Sequence, residues 1–246
     1  MIKSILKFGM KKRWPGFGFV TKKLFPEGIV AQNKYHTTFL LDPYEAVEGS
    51  VLFDGYFDEG VLIAMQDSLR PGDVFWDIGA NVGLHSFTIK KLIPTIQCHA
   101  FEPFYKNFAR LCTNQELNPG AQVFKYNLAL SDRRGIETIH TTINNSGRTS
   151  IHALQNAAST DVAIFTTTGD ELISLGVPAP HVIKLDTEGS EFAILTGCKT
   201  LLEQPNQVRA IIYESFEKDK KLEQLLSSYG FKITSLDARD NFLAKR

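Results

Sequence analysis

The chain has 246 residues, 43% of them hydrophobic, and its 27 Lys and Arg balance 27 Asp and Glu, giving a formal net charge of zero. That length buries a large core without disulfide or metal staples, and a neutral total excludes a protein that coats nucleic acid through bulk charge, which needs many cation-to-phosphate contacts. Cys98, Cys112 and Cys198 are odd in number and follow no pairing motif, which fits reduced thiols in a cytoplasmic protein.

Residues 1–40 read as an extension ahead of a single domain over residues 41–246. The extension places Lys3, Lys7, Lys11, Lys12, Arg13, Lys22 and Lys23 before the first acid, Glu27, among Ile2, Ile5, Leu6, Phe8, Trp14, Phe17 and Phe19. Cations mixed with aromatics favour contact with an anionic membrane surface; a solvated basic arm whose aromatics pack on the domain is the alternative. No apolar run has the length of a signal-peptide core or a membrane span, so the expected location is the cytoplasm, with peripheral membrane contact through this arm.

Asp58 to Leu69 is expected to be a helix, with Val61, Leu62, Met65 and Leu69 on its buried side and Pro71-Gly72 ending it. Asp73-Val74-Phe75-Trp76 suits a buried strand, and Leu84, Phe87, Thr88 and Leu92 recur at helical spacing until Pro94. Between them runs Asp77-Ile78-Gly79-Ala80-Asn81-Val82-Gly83. In an open α/β sheet such a strand-to-helix turn is where ligands bind, because the strands' carboxyl ends open into a crevice and free backbone N–H groups point outward. Small residues there let a ligand approach the main chain. A dinucleotide fingerprint would need glycine where Asn81 and Leu84 stand, which disfavours a nicotinamide cofactor. The pattern present is D-x-G-x-N-x-G, whose acid repels a pyrophosphate and welcomes an ammonium group such as that of S-adenosylmethionine.

Ile96 to Phe101 reads as a second strand ending at Glu102-Pro103, about 25 residues beyond Asp77, a spacing that suits an acid accepting both ribose hydroxyls. Pro103 also suits a first helical position, where an acid favours the helix dipole. A helix from Phe104 to Leu117 closes at Asn118-Pro119-Gly120. Val123 to Leu130 reads as a third strand, ending at Ser131-Asp132 beside the same crevice, where an adenine has room to rest. Ile139 to Thr168 is the least regular piece. Its Asn144-to-Ser150 cluster reads as a turn or loop, either a seat of substrate choice over the crevice or an ordinary mobile connection.

His181 to Leu185 is a compact strand, followed by Asp186-Thr187-Glu188-Gly189-Ser190-Glu191 and a helix with Phe192, Leu195, Cys198 and Leu201 at apolar positions. Glu191 suits the helix N-terminus. Asp186, at the end of a buried strand, loses hydration and so needs a partner or a task. Val208 to Glu214 reads as a fifth strand, and Phe231 to Leu236 with Phe242 to Ala244 as a closing hairpin.

Taken together, these runs resemble the FkbM family of S-adenosylmethionine-dependent methyltransferases. The carriers are the segments Asp77 to Gly83, Phe101 to Pro103, Asn127 to Asp132 and Ile183 to Glu191, with Gly55-Tyr56-Phe57-Asp58 and Arg70 to Asp73 upstream; the likeness is clear over residues 40 to 215. It implies an α/β fold, a Rossmann-like class I methyltransferase sheet of seven mostly parallel strands with the last antiparallel and helices on both faces. It also implies S-adenosylmethionine as cofactor and O-methylation of a hydroxyl on a sugar, a glycan or glycolipid, or a secondary metabolite. The chain departs from the family's usual pattern at Gly169, in place of an apolar residue, and at Thr187, where a small or β-branched apolar residue is usual.

The expected cofactor contacts are Asp77, Gly79, Ala80, Asn81, Gly83, Glu102, Pro103, Leu130 and Ser131. Methyl transfer from a sulfonium is an in-line displacement dominated by alignment and water exclusion, and a hydroxyl acceptor also loses a proton. Asp186 and Glu188 are the candidate catalytic bases, with Lys184, Glu214 and His85 as candidate substrate contacts. Asp186, Glu188 and Glu214 also carry the hard oxygen ligands a magnesium ion takes, so metal dependence stays open. The histidines lack zinc spacing. No Asn-Pro-Pro-Tyr or Asp-Pro-Pro-Tyr follows the fourth strand and no Pro-Cys occurs, which disfavours nucleobase acceptors. A non-catalytic binding module keeping the fold and, less in keeping with the glycine spacing, a nicotinamide oxidoreductase are the alternatives.

Overall fold

The tertiary structure is a computed structural model that describes residues 23–43, 45–142, 145–150, 159–215, 219–237 and 240–246. A hairpin of β1 (Ile29–Gln32) and β2 (Thr38–Leu41) comes first, followed by helices α1 (Ala46–Asp54) and α2 (Glu59–Ser68). Strand β3 (Val74–Ile78) leads into α3 (Leu84–Leu92), β4 (Gln97–Phe101) into α4 (Tyr105–Glu116), and β5 (Val123–Tyr126) into the short β6 (Ala129–Leu130). Next come β7 (Gly135–Thr142), β8 (Asn145–Ser150), β9 (Ser159–Thr167) and α5 (Gly169–Ser174). The chain ends with β10 (Val182–Leu185), α6 (Glu191–Thr196), α7 (Lys199–Leu202), β11 (Ala210–Glu214), α8 (Lys220–Ser228), β12 (Lys232–Ser235) and β13 (Asn241–Lys245).

Every residue of β3 and of β10 is buried, the mark of parallel strands covered on both faces. The seven-stranded sheet has the order β12-β13-β11-β10-β3-β4-β5. Strands β11, β10, β3, β4 and β5 run parallel, and β13, last in the chain, is antiparallel to both its neighbours. One face packs Phe75, Ala100, Val182 and Ile212 against Leu62 and Met65 of α2 and Phe87 and Ile89 of α3. The other packs Trp76, Phe101, Ile183 and Ile211 against Leu172, Ile194, Leu195, Leu222 and Leu226. Each such side chain contributes about 1.5–3 kcal/mol on full burial. The chain leaves β3 toward β4 and β5, then returns to the opposite side of β3 as β10, so the direction of winding reverses between β3 and β10. A crevice opens at the carboxyl ends of strands at such a reversal.

Three features differ from the sequence expectations or add to them. The run from Val123 to Leu130 is two strands, because Asn127 leaves the sheet and its Nδ2 donates to the carbonyls of Glu102 (2.9 Å) and Pro103 (3.0 Å). Beyond that break, β6 pairs with β9 in a second sheet of order β6-β9-β7-β8. The described residues of the stretch read as irregular are thus largely strand, and Asn145–Ser150, read as turn or loop, pairs antiparallel with β7. Long-range pairing of Thr- and Ile-rich segments outweighs the local turn signal there. Finally, β2 inserts Phe39 and Leu41 into the core, 0% and 1% exposed. It is clamped by Asn114 Oδ1, which accepts from Leu40 N at 2.8 Å, and by Asn118 Oδ1, which accepts from Thr38 N at 3.1 Å. The expected boundary after residue 40 falls inside this strand.

The glycine at position 169 has a packing reason: a Cβ there would lie 2.3 Å from Cys198 Sγ. All three cysteines are free thiols. Among the described residues, no helix is long and apolar enough to cross a membrane.

Candidate active site

The parallel register sets Lys184 of β10 beside Asp77 of β3. Gly79 follows with φ 79°, and a Cβ on it would lie 1.9 Å from the carbonyl oxygen of Asp186. Only glycine lets these two strand tips meet so closely. Gly83, φ 85°, is required for a different contact, since a Cβ there would strike Leu111 and Phe87 at 2.5 Å. The backbone N–H groups of this turn are used within the protein. Those of Gly79 and Ala80 both donate to the Phe101 carbonyl at 3.0 Å, and that of Asn81 donates to Glu102 Oε2 at 2.8 Å. Glu102 Oε1 accepts from Phe104 N at 2.9 Å. The turn therefore fixes the Glu102 carboxyl, which is 5% exposed. Burial outweighs these N–H bonds and raises its pKa to about 7.

Asp77 is 0% exposed. Its Oδ2 accepts from Ser86 Oγ at 2.6 Å, while Oδ1 has no well-formed hydrogen bond and is balanced by the Lys184 ammonium 3.3 Å away. Lys184 also lies 3.3 Å from Asp186 Oδ2. Burial works against the lysine's charge, but the two carboxylates prevail and its pKa is raised. Burial likewise opposes ionisation of Asp186, yet Lys184 and a hydrogen bond from Glu214 hold it below its ordinary value. Glu214, at the end of β11, is pushed up to about 8 by burial and by the neighbouring Asp186 charge. One proton is thus shared between two carboxyl groups, because two adjacent charges cannot both ionise cheaply.

His85, 8% exposed, joins Tyr56 Oη through Nδ1 at 2.9 Å. Burial, reinforced by Lys184, lowers its pKa to about 4, so it stands neutral. Glu191 stands in the first turn of α6, as expected, and its Oε1 also accepts from the preceding loop, from Thr187 N at 3.0 Å, Thr187 Oγ1 at 2.9 Å and Gly189 N at 3.3 Å. That brace gives Thr187 a polar task where an apolar residue was anticipated, and it holds Glu188 with φ 55°.

A cleft of about 220 Å³ opens at these strand ends. It is lined by Gly79, Asn81, Glu102, Pro103 and Leu130 from the expected cofactor contacts and by Asp186, Glu188 and Glu214 from the expected acceptor side. Asp77, Ala80, Gly83, Ser131, Lys184 and His85 are not among its lining residues. Asp77 in particular, anticipated as a direct partner of the cofactor's ammonium, turns inward to Ser86 and Lys184. Lys184 and His85 instead line a neighbouring cavity of about 10 Å³ together with Asp186 and Glu214. Phe57 and Asp58, which precede α2, and Ile139 and Ile164 of the small sheet also line the cleft and were not among the expected site residues. The first two carried a signal, since they belong to the Gly55-to-Asp58 run that bears the family resemblance; the two isoleucines carried none, because tertiary pairing brings them in.

The residues from Asp77 onward to position 233 match the methyltransferase FkbM domain. This chain belongs to the FkbM family. The hexuronic acid methyltransferase AglP of Haloferax volcanii is 30% identical over 193 residues, covering 77% of this chain and 77% of that protein. The 31-O-demethyl-FK506 methyltransferase FkbM of Streptomyces tacrolimicus is 26% identical over 222 residues, covering 77% of this chain and 84% of that one. Among solved structures, the precorrin-6y C5,15-methyltransferase of Geobacter metallireducens overlaps with a TM-score of 0.47 at 12% identity, over 78% of this chain and 89% of that one. As an FkbM-family member the chain is an S-adenosylmethionine-dependent methyltransferase. The cleft fits that cofactor chemically: the Glu102 carboxyl has one oxygen lone pair left on each atom after its backbone bonds, enough for a vicinal diol, and Ile78, Phe101, Leu128 and Leu130 offer an apolar slot beside it. Among the described residues no group of three or more His, Cys, Asp or Glu is disposed to hold a metal ion.

Proposed function

We propose that this chain methylates a hydroxyl group of a sugar, of a glycan or glycolipid, or of a secondary metabolite. One arrangement carries the reading: Glu102 follows β4, Asp186 and Glu188 follow β10 and Glu214 ends β11, on opposite sides of β3 in the sheet order, and all four line the same cleft. The relatives, one named for hexuronic acid and one for 31-O-demethyl-FK506, support an oxygen-rich acceptor.

The bound cofactor supplies an electron-poor methyl carbon. Glu102 would accept from both ribose hydroxyls, while Pro103 and Leu130 would border the adenine and Gly79 and Asn81 would meet the methionyl part. The apolar walls, including Ile139 and Ile164, exclude water from the reacting atoms. Asp186 takes the acceptor's proton as the new C–O bond forms, with Glu188 as the other candidate base. Lys184 acts through Asp186: it keeps that carboxylate ionised and aimed, and Asp77, itself held by Ser86, holds Lys184 in turn. Glu214 shares its proton with Asp186 and tempers its basicity. His85 is a neutral wall behind this group.

Calorimetric titration with S-adenosylmethionine, then transfer of a labelled methyl group to a panel of glycosides and glycans, tests the reading. Binding without transfer to any hydroxyl would favour a non-catalytic module instead.

Residues 1–22 lie outside the described residues. We propose that this basic, aromatic segment touches an anionic membrane surface, keeping a cytoplasmic enzyme near lipid-linked acceptors. Co-sedimentation with phosphatidylglycerol vesicles, lost on deleting residues 1–22, is the expected result; equal sedimentation of both forms would refute it.

A further inference from the structure

Asp58 occupies the N-cap position of α2, where an aspartate ordinarily has extended backbone and accepts from the helix's first N–H groups. Here it does neither: φ is 51° and ψ is 56°, in the left-handed region, and its side chain makes no capping hydrogen bond. It lines the main cleft and also the small cavity shared with His85, Lys184, Asp186 and Glu214. Left-handed backbone is uncommon outside glycine and gathers at ligand sites, where surrounding structure enforces it. Among the described residues His36, Asp58, Asn81, Glu188 and Asp240 are the non-glycine residues with positive φ. Three of them, Asp58, Asn81 and Glu188, line this one cleft.

With the ribose at Glu102, the opposite end of the cleft receives the acceptor, and its walls are Asp58, Asp186, Glu188 and Glu214, drawn from three separate parts of the chain. We propose that Asp58 is an acceptor-binding residue which, with Glu188, takes hydrogen bonds from ring hydroxyls, so that this end selects an uncharged sugar over a phosphorylated sugar or a uronic acid, and the acceptor differs in charge from the hexuronic acid for which one relative is named. The inference rests on the methyltransferase reading for the direction of the cleft. A carboxylate only accepts, and a hydroxyl donating to it forms a charge-assisted bond. An anionic acceptor placed among Asp58, Asp186 and Glu188 meets like charge, and the repulsion strengthens as water leaves. The Lys184 ammonium, 4% exposed, is engaged by Asp77 and Asp186.

The test is calorimetric titration of the full chain, loaded with S-adenosylhomocysteine, with matched methyl hexosides and methyl hexuronides of gluco, galacto and manno configuration. At least one hexoside is expected to bind, with its hexuronide about tenfold weaker or worse, and Asp58→Asn should weaken that hexoside by about tenfold while leaving S-adenosylhomocysteine affinity within about twofold. Hexuronides that bind as well as hexosides overturn the proposal, as does a failure of every hexoside to bind. So does an Asp58→Asn variant that loses S-adenosylhomocysteine and not the sugar. Discrimination by the unaltered chain decides the acceptor class even where the variant is unstable. Labelled-methyl transfer to the same sugars is read separately: discrimination in binding without transfer counts against sugar hydroxyls as the methyl acceptor and leaves the selectivity of the cleft standing, whereas transfer without discrimination supports sugar methylation and overturns the selectivity.

Discussion

Lys184 Nζ lies 3.3 Å from Asp77 Oδ1 and 3.3 Å from Asp186 Oδ2, one buried ammonium between two carboxylates on adjacent strand ends. Lys184→Met removes the charge and leaves Asp77, 0% exposed, without its counter-ion. Breaking a buried pair from one side costs about 3–5 kcal/mol. Urea unfolding should show a loss of that order, and the double variant Asp77→Asn with Lys184→Met should recover part of it. A single variant as stable as the parent would remove the argument for this pair.

Glu102 makes stability fall as pH rises. Its pKa goes from 4.5 to about 7 in the folded chain, so folding holds its proton more tightly than the unfolded chain does. That contribution is complete below about pH 4.5 and disappears by about pH 7, an order of 3 kcal/mol. Binding runs the other way, since the ionised carboxylate is the better acceptor for ribose hydroxyls. S-adenosylmethionine affinity should strengthen through about pH 7 in the unaltered chain and lose that slope in Glu102→Gln. Parallel pH profiles for both forms would contradict the assignment.

The Asp186 and Glu214 pair predicts the pH dependence of turnover. Below about pH 8 Glu214 keeps its proton and donates to Asp186; above it, both groups are ionised and Asp186 becomes the stronger base. Initial rates should rise through that pH, and Glu214→Gln should flatten the rise. Asp186→Asn should abolish turnover, a loss of about a hundredfold or more, while sparing cofactor affinity. Loss of cofactor binding in that variant would make Asp186 a cofactor ligand instead.

Gly79→Ala should destabilise the chain by more than the ~1–3 kcal/mol of a left-handed non-glycine residue, because its Cβ would also lie 1.9 Å from the Asp186 carbonyl oxygen. Thermal unfolding is the readout. Gly169→Ala should be rescued by Cys198→Ala, since the clash at 2.3 Å is with that Sγ; additive effects of the two changes would show that no such contact exists.

The buried strands, the helix that follows the first of them and the acids at the strand ends could be read from the sequence, because each depends on a local pattern: mainly apolar runs at Val74–Ile78 and Val182–Leu185, glycines at tight turns, helical spacing from Leu84 to Leu92; the sheet's antiparallel last strand came from the family resemblance. Which way each acid faces could not. Asp77 and Glu102 both end strands, yet Asp77 turns inward to Lys184 and Glu102 lines the cleft, and that difference comes from neighbouring strands and the turn's own N–H groups. Likewise, Ile139 and Ile164 reach the cleft only through the pairing of β7 with β9. Local sequence decided the elements and the inventory of chemical groups. Tertiary contacts decided their direction, burial and protonation, because a carboxyl group's charge depends on what lies within a few ångströms of it, across the sheet and not along the chain.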